Sequence, residues 1–219
     1  MIIAIDGIDG AGKGTQAKKL QKYFLFKDLP CKLISFPIYD SIFGKMISEY
    51  LNGEYGSLYS VNPKLPSLLY AQDRNLFFSN FAYKPDEILI IDRYVNSNLA
   101  HQGSKLHSEK RRQIMNWILE LEYKVNKIPR PDVSFILDLE IENSIKNVTK
   151  KKKRSYTELT HDLHESNYDY LKESRNVFLS LANNDKTHLI KCDLHGELRK
   201  QENILNEIIS IIKKEYNLL

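Results

Sequence analysis

Cysteine is scarce in this chain, with two in 219 residues. Cys31 and Cys192 stand far apart and each adjoins an apolar, strand-like run, which favours two buried free thiols over a disulfide and suits a reducing cytoplasm. Long apolar runs are missing too: none approaches the ~18–20 residues that a membrane-spanning helix needs, so a soluble chain with no membrane partner is expected. The N-terminus, MIIAIDG, lacks a basic leader and a small-residue cleavage site, which argues against an export signal. Neither sign of charge dominates, since 32 basic residues face 28 acidic ones and the net charge is only +4. Six of the basic residues, Lys146, Lys150, Lys151, Lys152, Lys153 and Arg154, crowd one nine-residue window, and without them 26 basic residues face 28 acidic ones. A nucleic-acid binder spreads its basic residues along a face, so this pattern points to a local anionic ligand and away from nucleic acid. There is no internal repeat and no Gly/Ser- or Pro-rich linker, and the length fits one α/β domain over residues 1–219.

Five apolar, β-rich runs punctuate the chain, at 2–6, 32–36, 87–92, 132–139 and 187–192. Four lack clean alternation and read as strands buried on both faces, as parallel strands are. Helical patterns lie between them. Ile114, Ile118, Leu121 and Val125 form one apolar stripe, ended by Pro129 and Pro131; Leu171, Ser174, Phe178 and Leu181 form a second; Ile204, Ile208 and Ile211 form a third. Strands alternating with helices imply right-handed crossovers and a doubly wound five-stranded parallel sheet.

Directly after the first strand comes Gly7-Ile8-Asp9-Gly10-Ala11-Gly12-Lys13-Gly14-Thr15, followed by an amphipathic pattern to about Phe26. Glycines allow positive φ, so that backbone N–H groups can turn inward around an anion at a helix N-terminus, and Lys13 can reach the β- and γ-phosphates. The whole stretch is therefore a candidate ATP site. One position departs from the commonest loop: the residue after the lysine is Gly14, and the hydroxyl follows at Thr15, so the metal is expected to be held mainly by phosphates and water. Adenylate kinases share this form of the loop, which by itself does not choose an acceptor.

A nucleotide-binding switch would need a guanine-reading Asn-Lys-x-Asp, and the nearest stretch, Asn126-Lys127-Ile128-Pro129, lacks the aspartate. A kinase is favoured by Asp92 and Arg93 at the C-terminal end of an apolar strand, the ligand-bearing edge of such a sheet, where the carboxylate can orient Mg²⁺ through water and the guanidinium fork can bind phosphate.

Around these residues the chain resembles the thymidylate kinase family of P-loop nucleoside monophosphate kinases. Asp92-Arg93-Tyr94, Ser97, and Ala100-His101-Gln102-Gly103 resemble the family's Asp-Arg-Tyr/His…Ser…Ala-aromatic-Gln-Gly pattern. Leu68-Leu69-Tyr70-Ala71-Gln72-Asp73-Arg74 is similar to the helix whose aromatic stacks on thymine and whose arginine bonds its O4; Phe36-Pro37 with Tyr39 and Gly44 is similar to the turn at the acceptor phosphate. Tyr70 and Arg74, four residues apart, share a helical face, and Asn98 can pair with the N3–H and carbonyl edge of thymine. Asp9 matches a carboxylate aimed at the acceptor sugar, and Asp162 with Glu165 resembles an acidic pair beyond the lid. His101 stands where relatives carry Tyr or Phe near the 2′ carbon, which implies deoxyribose, although its two ring nitrogens could bond a 2′-hydroxyl and blunt the exclusion.

The resemblance implies P-loop topology with a short helical lid near residues 142–162, and phosphorylation of dTMP to dTDP by ATP and Mg²⁺ in dTTP synthesis. Lys13, Asp92, Arg93 and Arg154 are its candidate catalytic residues. The dTMP site draws on Asp9, Phe36, Tyr39, Tyr70, Arg74, Arg93, Ser97, Asn98, His101, Gln102, Asp162 and Glu165. Asp92 acts on the metal through water, with Asp9 and Glu165 as further candidates. A homodimer is also implied. The alternative is an adenylate or other nucleoside monophosphate kinase, and the distant one a nucleotide-binding switch. Two departures stand out: Ile38 and Tyr39 follow Phe36-Pro37 where many relatives carry an arginine, and Gly10 replaces the loop arginine of some members. Positive charge over the transferred group then falls to the lysine run and Arg154.

Overall fold

The computed structural model of the chain describes residues 1–84, 86–150, 167–182 and 186–216. Strands β1 (Ile2–Gly7), β2 (Cys31–Ser35), β3 (Ile88–Asp92), β4 (Val133–Asp138) and β5 (Thr187–Lys191) form one parallel sheet in the order β2-β3-β1-β4-β5. β1 lies in the middle, and the order reverses beside it, opening a crevice at the carboxyl edge. Of the four strands expected to be buried on both faces, only β1, β3 and β4 are, apart from the half-exposed Asp92 at the edge; β2 and β5 are the sheet edges and remain partly exposed.

Helices α1 (Lys13–Phe26), α2 (Ile42–Leu51), α3 (Lys64–Asn80), α4 (Val95–Gly103), α5 (Ser108–Glu120), α6 (Ile141–Thr149), α7 (Tyr168–Leu181) and α8 (Gln201–Tyr216) flank the sheet. One core lies under α1, α7 and α8, centred on Ile3, Ile5, Phe135 and Phe178, and a second under α3, α4 and α5, centred on Leu89, Ile91, Tyr94 and Ile118. Ile204, Ile208 and Ile212 face the core in α8, while Ile211 is only partly buried, because the stripe runs on at intervals of four. A hairpin of two short strands, β6 (Asp193–Leu194) and β7 (Glu197–Leu198), turning at His195 and Gly196, had no counterpart in the sequence reading.

The stripe on α5 breaks for a reason that matters later. At Leu121–Val125 the helix widens into one π turn, which inserts a residue into the frame. Ile114, Ile118 and Leu121 stay buried, but Val125 turns out to solvent at 66% exposure, and Glu122 is drawn into the interior at 0%.

Candidate active site

The phosphate loop closes between β1 and α1. Gly7, Gly10 and Gly12 have φ of 141°, 79° and 88°, a region that only glycine enters at little cost. Gly10 also has no room for a Cβ, which would lie 2.6 Å from the Ser144 carbonyl oxygen on α6. That helix secures the loop from outside: Ser144 Oγ donates to the Asp9 carbonyl at 2.6 Å and Asn147 Nδ2 to the Gly10 carbonyl at 3.1 Å. With carbonyls held outward, the amides are left to the crevice. α1 begins at Gly12 with no side-chain cap and no acidic residue in its first turn. An uncapped start leaves orphan N–H groups and the positive end of the helix dipole for an anion. Lys13 is buried and its Nζ donates to the Ile8 carbonyl at 2.7 Å.

Arg93 follows β3 with φ 69°, a left-handed conformation uncommon outside glycine, and its N–H bonds the Ile5 carbonyl at 2.9 Å. The turn carries its guanidinium away from its neighbour Asp92 and onto Asp9, with which it pairs through Nη2; Nη1 lies 3.4 Å from His101 Nε2. Asp92 Oδ1 is buried with no partner among the described residues, and Oδ2 lies 2.9 Å from where a Cβ on Gly14 would stand. No cluster of three metal-ligating side chains occurs among the described residues. The orphaned oxygen beside the loop fits a hard cation that takes its other ligands from phosphates and water, as Mg²⁺ does.

Next to the loop lies a cavity with about 510 Å³ of empty space. Asp9, Arg93 and His101 line it together with Tyr70, Arg74 and Asn98, and Phe36, Pro37, Tyr39, Leu51 and Ser97 complete the wall. The wall therefore brings together nine of the twelve residues proposed for the acceptor. Asp162 and Glu165, like Arg154 and the lysines from 151 to 153, lie outside the described residues, and Gln102 is not on the wall.

Three side chains are committed differently from expectation. Arg74 is fully buried and forms a two-pronged pair with Glu122, Nε reaching Oε2 at 3.1 Å and Nη2 meeting Oε1, so only Nη1 stands outside that pair. Ser97 reaches the wall, but its Oγ donates to Asp6 Oδ1 at 2.6 Å, since Asp6 is wholly buried and also takes the N–H groups of Tyr94 and Ser97. Burial raises the Asp6 carboxyl above the usual range, against the pull of those bonds. Gln102 turns its Oε1 to Lys105 Nζ at 2.7 Å.

Glu122, Asp73 and Tyr170 escaped the sequence reading. Asp73 accepts from the Ile38 N–H at 2.8 Å and Ser41 Oγ at 2.6 Å, fixing the turn that presents Phe36 and Tyr39; its place beside Arg74 was the one hint. Asn98 Nδ2 donates to the Ser67 carbonyl and to Glu122 Oε1, both at 3.1 Å. Two acceptors on one side settle the amide's orientation, and Oδ1 is buried and without a partner among the described residues, on a residue that lines the cavity. Both nitrogens of His101 have partners, Nε2 facing Arg93 and Nδ1 lying 3.0 Å from the Tyr170 hydroxyl. Burial, reinforced by the Arg93 charge, pushes the imidazole down to about 3, so it is neutral at physiological pH.

The thymidylate kinase family model matches residues 5–204. A probable thymidylate kinase of Methanosphaera stadtmanae is 32% identical over 219 residues, covering 97% of this chain and all of that protein. The thymidylate kinase of Mycobacterium tuberculosis is 32% identical over 145 residues, 65% of this chain and 67% of its own length. Among solved structures, the thymidylate kinase of Candida albicans superposes with a TM-score of 0.73 at 23% identity, covering 99% of this chain and 92% of that one, a likeness of fold. Loop, crevice and matched length agree: this chain belongs to the thymidylate kinase family.

Proposed function

We propose that the chain transfers the γ-phosphoryl group of ATP to dTMP, giving dTDP and ADP and so feeding dTTP synthesis. The acceptor phosphate oxygen bonds to the γ-phosphorus as the bond to the ADP oxygen breaks. The observation that carries the base assignment is Asn98 Oδ1. A buried acceptor with no partner among the described residues suits the N3–H of thymine and opposes the bare N3 of cytosine, since leaving either side unpaired costs about 1–3 kcal/mol. Tyr70 offers its face to the base and Arg74 Nη1 its N–H to O4, while Glu122 keeps that arginine in place.

Arg93 and the Tyr39 hydroxyl bind the acceptor phosphate, and Asp9 meets the sugar 3′ side. A ribose 2′-hydroxyl at His101 would have to displace Arg93 or Tyr170 from a ring nitrogen, which supports deoxyribose more firmly than the residue type alone. Loop amides and Lys13 hold the donor phosphates. Asp92 would hold Mg²⁺ through water, and the ion when bound would spread the charge of the donor phosphates. Residues 1–219 act as one kinase unit. Of the lid read at residues 142–162, positions 151–162 lie outside the described residues; α6 at its start is tied to the loop by Ser144 and Asn147, and Arg154 is the residue read as supplying the charge over the transferred group.

A homodimer is supported by Ile42, Leu65 and Leu68, exposed at 66%, 40% and 39% on α2 and α3. A cytoplasmic location is supported by the two free buried thiols, which burial pushes up to about 12. No described helix is long and apolar enough to cross a membrane. The deciding experiment is a coupled ADP-release assay across the common nucleoside monophosphates, with dTMP the best acceptor. Equal or better turnover of AMP would replace this reading with an adenylate kinase.

A further inference from the structure

Arg93 has only donors on its guanidinium, so His101 Nε2, 3.4 Å from Nη1, must be a bare acceptor. In a neutral imidazole the proton then sits on Nδ1. Nδ1–H faces the Tyr170 hydroxyl at 3.0 Å, and the same hydroxyl lies 3.1 Å from the His101 carbonyl oxygen. With Nε2 facing the guanidinium, Nδ1–H donates to the phenol oxygen and the phenol donates to the carbonyl, which Ser104 Oγ also reaches at 3.1 Å. Tyr170 thus holds one residue by ring and backbone together. It is completely buried, on the first turn of α7, where its own N–H is bonded at 2.9 Å by the cap residue Asn167. Phe178, two turns on along the same helix, stands edge-on to the imidazole at 5.7 Å and 89°, while the Tyr170 ring lies 6.2 Å away at 26°.

We propose that Tyr170 is a positioning residue for Arg93: by accepting the Nδ1 proton of His101 it keeps Nε2 bare toward the guanidinium, so that Arg93 is tethered on one arm by Asp9 and on the other by His101. Two tethers hold the fork in one rotamer with its remaining N–H groups toward the cavity, where a single tether would let it swing about Asp9. The neutral state of the imidazole is what the tether needs, because a protonated ring would present N–H to N–H. Tyr170 is not itself among the residues that line the cavity, and it acts on Arg93 through His101, which is.

The nitrogen-15 resonances of His101 in the wild-type protein, without nucleotide, test the first half. A protonated Nδ1 and an unprotonated Nε2 are expected from neutral pH down to at least pH 5, and a protonated Nε2 overturns the proposal outright. In Tyr170→Phe the pattern should move toward a mixture of the two tautomers; unchanged resonances would overturn it as well. The second half is kinetic and rests on the reading of Arg93 as the acceptor-phosphate clamp. Tyr170→Phe and His101→Phe should each lower kcat/KM for dTMP roughly fivefold, the scale of one neutral hydrogen bond, chiefly through KM. Combined, they should cost no more than His101→Phe alone. A further full loss in the double variant would reduce Tyr170 to a packing residue. Should Tyr170→Phe fail to fold, the wild-type resonances and an Asn167→Ala variant, which loosens the start of α7, decide by the same criteria. If dTMP is not a substrate, only the kinetic half falls, and the tautomer result stands by itself.

Discussion

At the scale of single residues, the site is governed by which polar atoms are already spoken for. Arg74 and Glu122 are both fully buried and pair with each other, with the Asn98 amide also on Glu122 and the Asp73 charge beside Arg74. Desolvation alone would lower the Arg74 guanidinium, but the adjacent carboxylate outweighs it and the net direction is upward, so the pair is charged. Removing one member leaves an uncompensated buried charge. Glu122→Ala is therefore expected to destabilise the fold by about 3–5 kcal/mol, and to weaken dTMP binding through a misplaced Arg74 and Asn98. Equilibrium urea unfolding reads the first effect, and a loss below 1 kcal/mol would show that water replaces the carboxylate. Gly14 gives the opposite case. Its φ lies outside the left-handed range, and an added Cβ would meet only the end of the Asp92 carboxylate, at 2.9 Å. Gly14→Ser should fold normally and keep kcat within about tenfold, its hydroxyl able to donate to the unpartnered Asp92 Oδ1. What should shift is the Mg²⁺ concentration at half-maximal rate; an inactive but folded variant would mean that Asp92 cannot move aside.

At the scale of elements, three junctions build the crevice: β1 into α1, β3 into α4, and the turn from β2 into α2. The third is the most crowded. Asp73 on α3 holds the turn at Ile38 and Ser41, Ser41 caps α2, and Gly44 in the first turn of α2 packs against the Ile38 carbonyl so closely that a Cβ would lie 1.9 Å from its oxygen. The obstacle is backbone and cannot rotate away. Gly44→Ala should cost about 1–3 kcal/mol of stability as α2 is pushed off the turn, and should raise KM for dTMP more than KM for ATP, because Tyr39 rides on that turn. Equal effects on both KM values would point to general loosening. For the lid, Arg154→Ala should lower kcat by on the order of 10²-fold with little change in KM, as a contact made mainly in the transition state does. A wild-type kcat would return the lysine run to a solvated face.

At the scale of the whole molecule, two buried bases impose a pH dependence on stability. Lys105 is buried between Gln102 and the Tyr50 ring and hydroxyl, and burial lowers its amine from 10.5 to about 7. Between about pH 7 and 10.5 the unfolded chain keeps a proton that the folded chain has released, so stability rises with pH over that window, by at most about 1.4 kcal/mol per unit. His101 acts the same way lower down: from its ordinary 6.5 to about 3 the unfolded chain binds a proton that the folded chain refuses, and stability falls as pH falls. Comparing denaturant midpoints across pH, Lys105→Met should flatten the upper slope and His101→Phe the lower one. A Lys105→Met curve parallel to wild type above pH 7 would show that the amine stays charged, with water reaching it.

What the sequence determined by itself was everything encoded in neighbouring residues: five strands with helices between them, the glycine loop and its lysine, Asp92 and Arg93 at a strand end, and the spacing that puts Tyr70 with Arg74 on a single helical face. Period and composition decide which face of an element is buried, and those survive without knowledge of the rest of the chain. Only the tertiary structure decided which atom each buried polar side chain satisfies, because the partners come from distant elements: Glu122 lies 48 residues from Arg74, Ser97 91 residues from Asp6, and Tyr170 69 residues from His101. One π turn at Leu121–Val125 moved the frame by a residue, placing a glutamate where periodicity had put apolar side chains. A buried hydrogen bond depends on separations to within a few tenths of an ångström, set by the packing of whole helices against the sheet, and no local pattern carries that distance.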